Sequence, residues 1–160
     1  MEYVNIDESN KDLVKKLFIE NWGAPIIVSR GRIHNSEELS GFIAISDNSV
    51  KGLITYIIDD SQCEIVSLDS FEENQGIGTT LINKVIETAD MNKCKRVWLV
   101  TTNDNTNAIR FYQKRGFYIS NIYLNAVKRS RELKPEIPLK GFDDIPILHE
   151  IEFELIIQNG

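Results

Sequence analysis

The sequence predicts an α/β (α+β) domain: one mixed, mostly antiparallel central sheet with helices on both faces. Three observations carry this. Short β-rich segments alternate with segments whose apolar residues recur at helical spacing. The segments 42–46 and 50–59 are joined across Asp47-Asn48, so they pair antiparallel as a hairpin. The run strand 64–68, helix 76–91, strand 96–101 needs a crossover, so its two strands lie parallel. With 160 residues and no linker, repeat or low-complexity tract, the whole chain (1–160) reads as a single domain.

Residues 2–6 alternate and form a short strand. From Glu8 to Trp22, Leu13, Val14, Leu17, Phe18 and Trp22 keep helical spacing, and Gly23 and Pro25 end the helix. Residues 26–40 read as irregular and carry Arg30, Arg32 and His34. After the hairpin and the 64–68 strand, helix 76–91 places Ile77, Leu81, Ile82, Val85, Ile86 and Ala89 on one stripe. Val97 to Val100 is continuously apolar, as in a strand covered on both faces. A helix comes next from Asn105 to Arg115, stopped by Gly116, then a strand at 117–124 and a helix at 125–133 before Pro135. The last strand, 149–157, turns Ile151, Phe153, Leu155 and Ile157 one way and Glu150, Glu152 and Glu154 the other.

Composition narrows the function. At 42% hydrophobic and 26% charged, the chain is too apolar for disorder. No segment is long and apolar enough to span a membrane, and the N-terminus lacks the basic and apolar regions of a signal peptide, so a cytoplasmic protein is expected. Cys63 and Cys94 are too few for a disulfide framework and lack zinc-ligand spacing, so they read as core thiols and no metal is expected. The formal charge of −6 argues against nucleic-acid and membrane partners. It hides a segregation, since ten basic residues fall between Lys93 and Lys134 against Asp104 and Glu132 alone. That pattern suits either solvated helix faces or a focused site for a small anion.

The central motif is Glu73-Asn74-Gln75-Gly76-Ile77-Gly78-Thr79, set between a strand and an amphipathic helix. Alternate glycines let backbone N–H groups crowd an anionic ligand at a helix N-terminus, a phosphate or pyrophosphate cradle. Leu81 stands where a dinucleotide fingerprint needs its third glycine, and Walker A's Gly-Lys-Ser/Thr is absent. Twenty-seven residues after Gly78 comes Asn105-Thr106-Asn107-Ala108-Ile109-Arg110-Phe111-Tyr112-Gln113-Lys114-Arg115-Gly116-Phe117. The two motifs together resemble the GNAT superfamily of acyl-CoA N-acyltransferases: the first its Gln/Arg-x-x-Gly-x-Gly/Ala loop, the second its Asn-x-x-Ala-x-x-Phe-Tyr-x-x-x-Gly-Phe helix. Motif, spacing and element order agree from about residue 41 to 123. Glu73 departs from the family's Gln or Arg, and Gln75 stands by as a substitute.

The resemblance implies that acetyl-CoA is the cofactor and that a splayed parallel strand pair receives its pantetheine arm. Val66, Ser67 and Leu68 would line that gap, with an N–H near Leu68 facing the thioester carbonyl. Glu73, Asn74, Gln75, Gly76, Ile77, Gly78 and Thr79 would cradle the pyrophosphate. Asn105, Ala108, Arg110, Phe111 and Lys114 would complete the cofactor site from the next helix, with Arg115 beside them. Tyr112 takes the position of the general acid that protonates the leaving thiolate, although a helical tyrosine is ordinarily a packing residue. Glu64 is the leading candidate base, acting through water; His34 and, behind it, His149 are others. The acceptor side falls to Trp22, Arg30, Arg32 and His34 and to the long connector 125–149. These point to an N-acetyltransferase acting on a primary amine of a small molecule, with protein N-terminal or lysine acetylation and non-catalytic acyl-CoA sensing as alternatives. A homodimer is compatible with the sequence.

Overall fold

The computed structural model describes residues 1–72 and 75–157. The chain opens with strand β1 (Glu2–Asn5) and helix α1 (Lys11–Trp22). The helix ends where Gly23 turns to a φ of 80° and its N–H reaches the Ile19 carbonyl, a conformation that a β-carbon would strain. The region expected to be irregular contains a second, two-stranded sheet, β2 (Ile26–Ser29) with β3 (Arg32–Asn35). Arg30 and Gly31, both at positive φ, make its two-residue turn. A short 3-10 turn, Ser36–Glu38, leads into the main sheet.

That sheet has seven strands: β1, β4 (Ser40–Ser46), β5 (Ser49–Asp59), β6 (Gln62–Ser70), β7 (Arg96–Thr102), β8 (Tyr118–Tyr123) and β9 (Glu150–Ile156). Their order is β1-β4-β5-β6-β7-β9-β8, and among the described residues only β6 and β7 run parallel. The crossover between them is helix α2 (Ile77–Met91), as the sequence order requires. Helices α3 (Thr106–Lys114) and α4 (Ala126–Leu133) come after β7 and β8.

Two apolar cores sit on opposite faces. On one, α2 lays Ile77, Leu81, Ile82, Val85 and Ala89 against Ile54, Ile65, Val97, Leu99 and Phe153 of the sheet, with Tyr112 and Phe117 beside them. On the other, Val14, Leu17 and Phe18 of α1 cover Ile43 and Leu53. Leu13, expected in the α1 stripe, stays exposed. Cys63 and Cys94 are buried and unpaired, and burial pushes the Cys63 thiol up to about 12, which makes it inert.

Two features of β6 position the site. Thr55 pairs with Ser67 and Tyr56 with Ile65, so Val66 is an extra residue, a β-bulge. The β6–β7 ladder also stops early: it pairs Gln62–Ile65 with Arg96–Leu99, while β6 continues to Ser70 and β7 to Thr102. Beyond Ile65 and Leu99 the parallel strands part.

The long connector after α4 is fastened to the loop before α3. Asp104, buried, accepts hydrogen bonds from Thr102 Oγ1 and the Phe142 N–H. Asn103 accepts from the Leu148 and His149 N–H groups and donates to the Pro146 carbonyl. His149 Nδ1 in turn accepts from the Asn125 N–H. Removing the Asp104 carboxyl strands two polar groups at a packed site, so Asp104→Ala is expected to cost about 1–3 kcal/mol. The same variant should open the 134–149 segment to proteolysis before global unfolding; unchanged denaturant midpoint and cleavage rate would count against this anchoring role.

Candidate active site

The gap beyond Ile65 opens into a cleft of about 770 Å³ whose lining includes Leu68 and Ser70 of β6, Gly76 to Thr79, and α3. Gly76 turns the chain into α2 at a φ of 68°, a left-handed conformation that favours glycine. Gly78 contributes differently. A β-carbon there would meet the Phe111 ring at 3.1 Å, a tight contact, so the glycine eases the approach of α2 and α3 across the cleft. The turn therefore leaves the α2 N-terminus, with its unpaired N–H groups and partial positive charge, open to an anion.

Helix α3 supplies the opposite wall. The Asn105 side chain accepts the Ala108 N–H at 3.1 Å and caps the helix, as its position in the motif requires. Asn105, Ala108, Arg110, Phe111, Tyr112, Lys114 and Arg115 all border the cleft. Arg115 is held in place: its guanidinium lies over the Phe111 ring at 3.5 Å, and Nε donates to Thr79 Oγ1 at 2.9 Å. Three cations and a helix N-terminus thus face one volume, which suits a polyphosphate.

The rest of the basic segment goes elsewhere. Arg96 reaches Glu154 at 2.7 Å and Glu152 at 3.2 Å on the other face of the sheet. Arg131 donates to the carbonyls of Ile137, Pro138 and Ile147. Lys134 is buried, which holds its ammonium below the ordinary lysine range. Only part of the charge cluster is an anion site.

Tyr112 is nearly enclosed, edge-on to Phe111 and Phe117 and tilted against Phe153. Burial, and secondarily the negative charge of Asp69, push its hydroxyl well above the ordinary tyrosine value, so it stays protonated at neutral pH. Asp69 has no counterpart among the site residues expected from sequence. It accepts a hydrogen bond from Trp22 Nε1 at 3.2 Å, and burial raises its carboxyl to about 6. The Trp22 ring nitrogen thereby links the C-terminal turn of α1 to the end of β6.

The opposite face of β6 carries Glu64, 4% exposed, beneath the β2–β3 hairpin. Ser29 Oγ donates to Glu64 Oε2 at 2.8 Å, and His34 Nε2 lies 3.5 Å from Oε1 without a hydrogen bond. Burial pushes the Glu64 carboxyl up to about 7, reinforced by Glu150 and Glu152 and opposed by Ser29 and Arg32. Burial, then repulsion from Arg32, hold the His34 imidazole down at about 4. Burial thus disfavours the charged form of both groups.

Arg30 and Arg32, expected to greet an acceptor, already have partners. Arg30 stacks on Tyr123 at 3.3 Å and reaches Glu150 at 3.1 Å, and Arg32 reaches Asp59 at 3.5 Å. Val66 packs in the α1-side core and Ser67 is hydrogen-bonded to Thr55, so their side chains leave the cleft and only their backbone remains to line the gap. Gln75 is exposed, and Glu73 and Asn74 lie outside the described residues. Among the described residues no cluster of His, Cys, Asp and Glu has the makings of a metal site.

A mixed sheet with one splayed parallel pair, a glycine turn at a helix N-terminus and a basic helix across the cleft defines an acyl-CoA acyltransferase fold. Residues 8–117 match the family model for the acetyltransferase (GNAT) family. The chain is 46% identical over 142 residues to the uncharacterized protein YxbD of Bacillus subtilis strain 168, covering 88% of this chain and 89% of that one. The fold is shared with a GNAT family acetyltransferase from Elizabethkingia anophelis solved with acetyl-CoA bound (TM-score 0.71, 21% identity, 98% and 97% of the two chains). It is shared likewise with a Bacillus subtilis acetyltransferase in complex with CoA (TM-score 0.71, 17% identity, 98% and 99%). The chain belongs to the GNAT acetyltransferase family.

The Glu64 environment has a measurable consequence for stability. Its folded pKa of about 7 lies above the ordinary 4.5, so the fold favours the protonated acid and ionisation costs stability. That cost is absent below about pH 4.5, grows through the interval and is complete above about pH 7. Glu64→Gln should therefore match the parent near pH 5 and exceed it near pH 8, by on the order of 2–3 kcal/mol. Denaturant midpoints at the two pH values test this; an equal difference at both would show that Glu64 is not buried as an acid.

Proposed function

We propose that the protein is an acetyl-CoA-dependent N-acetyltransferase that moves an acetyl group directly to a primary amine of a small molecule. The observation that carries this is the end of β6–β7 pairing at Ile65 and Leu99, which places the basic cleft and Tyr112 on one side of β6 and Glu64 on the other. The fit of coenzyme A rests on the cleft itself: Gly76 and Gly78 keep the α2 N-terminus free of side chains, and Arg110, Lys114 and Arg115 supply positive charge.

Bound there, the cofactor supplies an activated acyl thioester. The chain's own residues then do three things. The unpaired backbone of β6 near Leu68 donates an N–H to the reacting carbonyl, where charge develops. Glu64, close to half-ionised at neutral pH, takes the ammonium proton of the acceptor through water and leaves a neutral amine. Tyr112, kept protonated by burial and Asp69, gives its hydroxyl proton to the departing sulfur. The acid and the base are thus tuned to opposite tasks by their surroundings.

The closed β2–β3 hairpin over Glu64 supports a small acceptor over a protein one, because an open groove would be needed for a peptide. Acetyl-CoA should raise the Tm while NAD and ATP leave it unchanged. Tyr112→Phe should lower kcat by about 10²-fold with little change in acetyl-CoA affinity, read by thiol release across an amine panel and by calorimetry. Absence of any acyl-CoA effect on the Tm would refute the cofactor assignment, and an unaltered kcat would remove Tyr112 from the mechanism.

A further inference from the structure

The β2–β3 hairpin turns Ile27, Ser29 and His34 inward, all three buried. Its two polar inward residues address the two oxygens of one carboxyl. Ser29, on β2, donates to Glu64 Oε2, and His34, on β3, brings Nε2 to 3.5 Å from Oε1. The cross-strand neighbours of Glu64 within the sheet are Ile57 and Trp98, which offer it no charge. Among the described residues, Ser29 makes the sole hydrogen bond to Glu64, and His34 Nε2 is a buried polar atom, on a residue 2% exposed, with no partner. A buried unpartnered nitrogen is expensive, and a satisfied alternative is expected to exist.

We propose that the hairpin is a carboxylate clamp in which His34 is the positioning residue that holds Glu64 in both of its protonation states. This rests on Glu64 acting as the base. A neutral imidazole suits that task because its two tautomers are close in energy. With Nε2 protonated, it donates to the ionised carboxylate. With Nε2 bare, it accepts the O–H of the protonated acid. A lysine or arginine at this position would fix Glu64 as the carboxylate, and a leucine would favour the acid alone.

The proton balance is simple. When the acceptor ammonium yields its proton through water, the N–H electron pair stays on nitrogen and the proton arrives on Glu64 Oε1. Nε2 of His34 then gives up its proton as Nδ1 gains one, a net change of tautomer that leaves one proton on the ring, and Nε2 accepts the new O–H. The proton returns to solvent from Glu64, the tautomer change reverses, and the imidazole is neutral before and after the cycle. The other charged groups facing the pair are Arg32 at the hairpin tip, and Glu150 and Glu152 on β9, themselves tied to Arg30 and Arg96. Cys63, next in the chain, is held as the thiol.

The test needs neither cofactor nor acceptor. The carboxyl carbon of Glu64 and the imidazole nitrogens of His34 are tracked by NMR across the neutral range in the whole wild-type protein. The expected result is one midpoint near 7 reported by both residues, with the His34 nitrogens changing tautomer and never taking imidazolium shifts. Glu64→Gln should abolish the His34 transition. His34→Phe should move the Glu64 midpoint upward by about one pH unit, and His34→Gln should restore it. A His34 signal flat across the Glu64 transition overturns the clamp, whether or not either variant folds. Activity separates the two readings. Full transfer by Glu64→Gln would refute Glu64 as base even with coupled titrations, and an inactive Glu64→Gln with a flat His34 would refute the clamp alone.

Discussion

The structure depends on an interruption. A parallel strand pair normally bonds along its length, and the backbone groups it leaves unpaired must find other partners. Here the bulge at Val66 shifts the register of β6 against β5, and pairing with β7 stops one residue earlier, at Ile65. From Val66 to Ser70, β6 keeps β5 on one side and, among the described residues, has no strand on the other. On the proposed function, this opening would receive the amide groups of the cofactor's arm. The flanking elements are arranged around the same opening: α2 begins at its end, α3 walls it, and Phe111 closes down on Gly78.

Electrostatics divides the molecule along the sheet. The cleft side collects Arg110, Lys114 and Arg115, whereas the face under the hairpin collects Glu64, Glu150, Glu152 and Glu154, with Arg30, Arg32 and Arg96 among the cations that offset them. Glu152 shows what full satisfaction achieves. Ser120, Asn121, Tyr123 and Arg96 all donate to it, and its carboxyl is held below the ordinary range although it is buried. Glu64 has one donor in the same neighbourhood and sits near 7. Two buried glutamates on adjacent parts of one face thus have carboxyls shifted in opposite directions, the many donors to Glu152 outweighing the burial that dominates at Glu64.

The parts legible in the sequence are those fixed by local pattern. The glycine turn, the Asn105 cap, the α2 stripe and the β6-α2-β7 crossover each depend on residues close together in the chain, and each stands as expected. The hairpin at 26–35 reads as irregular when its charges are weighed first; Ile26-Ile27-Val28 and the Arg30-Gly31 turn are the signal that reveals it. Asp69 and the surroundings of Glu64 have no such signal. Trp22 meets Asp69 across 47 positions, Ser29 meets Glu64 across 35, and Arg30 meets Glu150 across 120. Pairings of that span are set by the sheet order, not by spacing, so only the topology apportions the charge of the 93–134 segment between the cleft and the acidic face.

The unpaired stretch of β6 is, on this account, the seat of the cofactor. Amide hydrogen exchange at Val66 to Ser70 tests it most directly, measured with and without saturating acetyl-CoA. The account predicts that the Leu68 amide exchanges rapidly in the free protein, unlike the paired amides of β6 before the bulge, and becomes strongly protected when acetyl-CoA binds. A Leu68 amide already protected in the free protein, or one left unprotected at saturation, would contradict it.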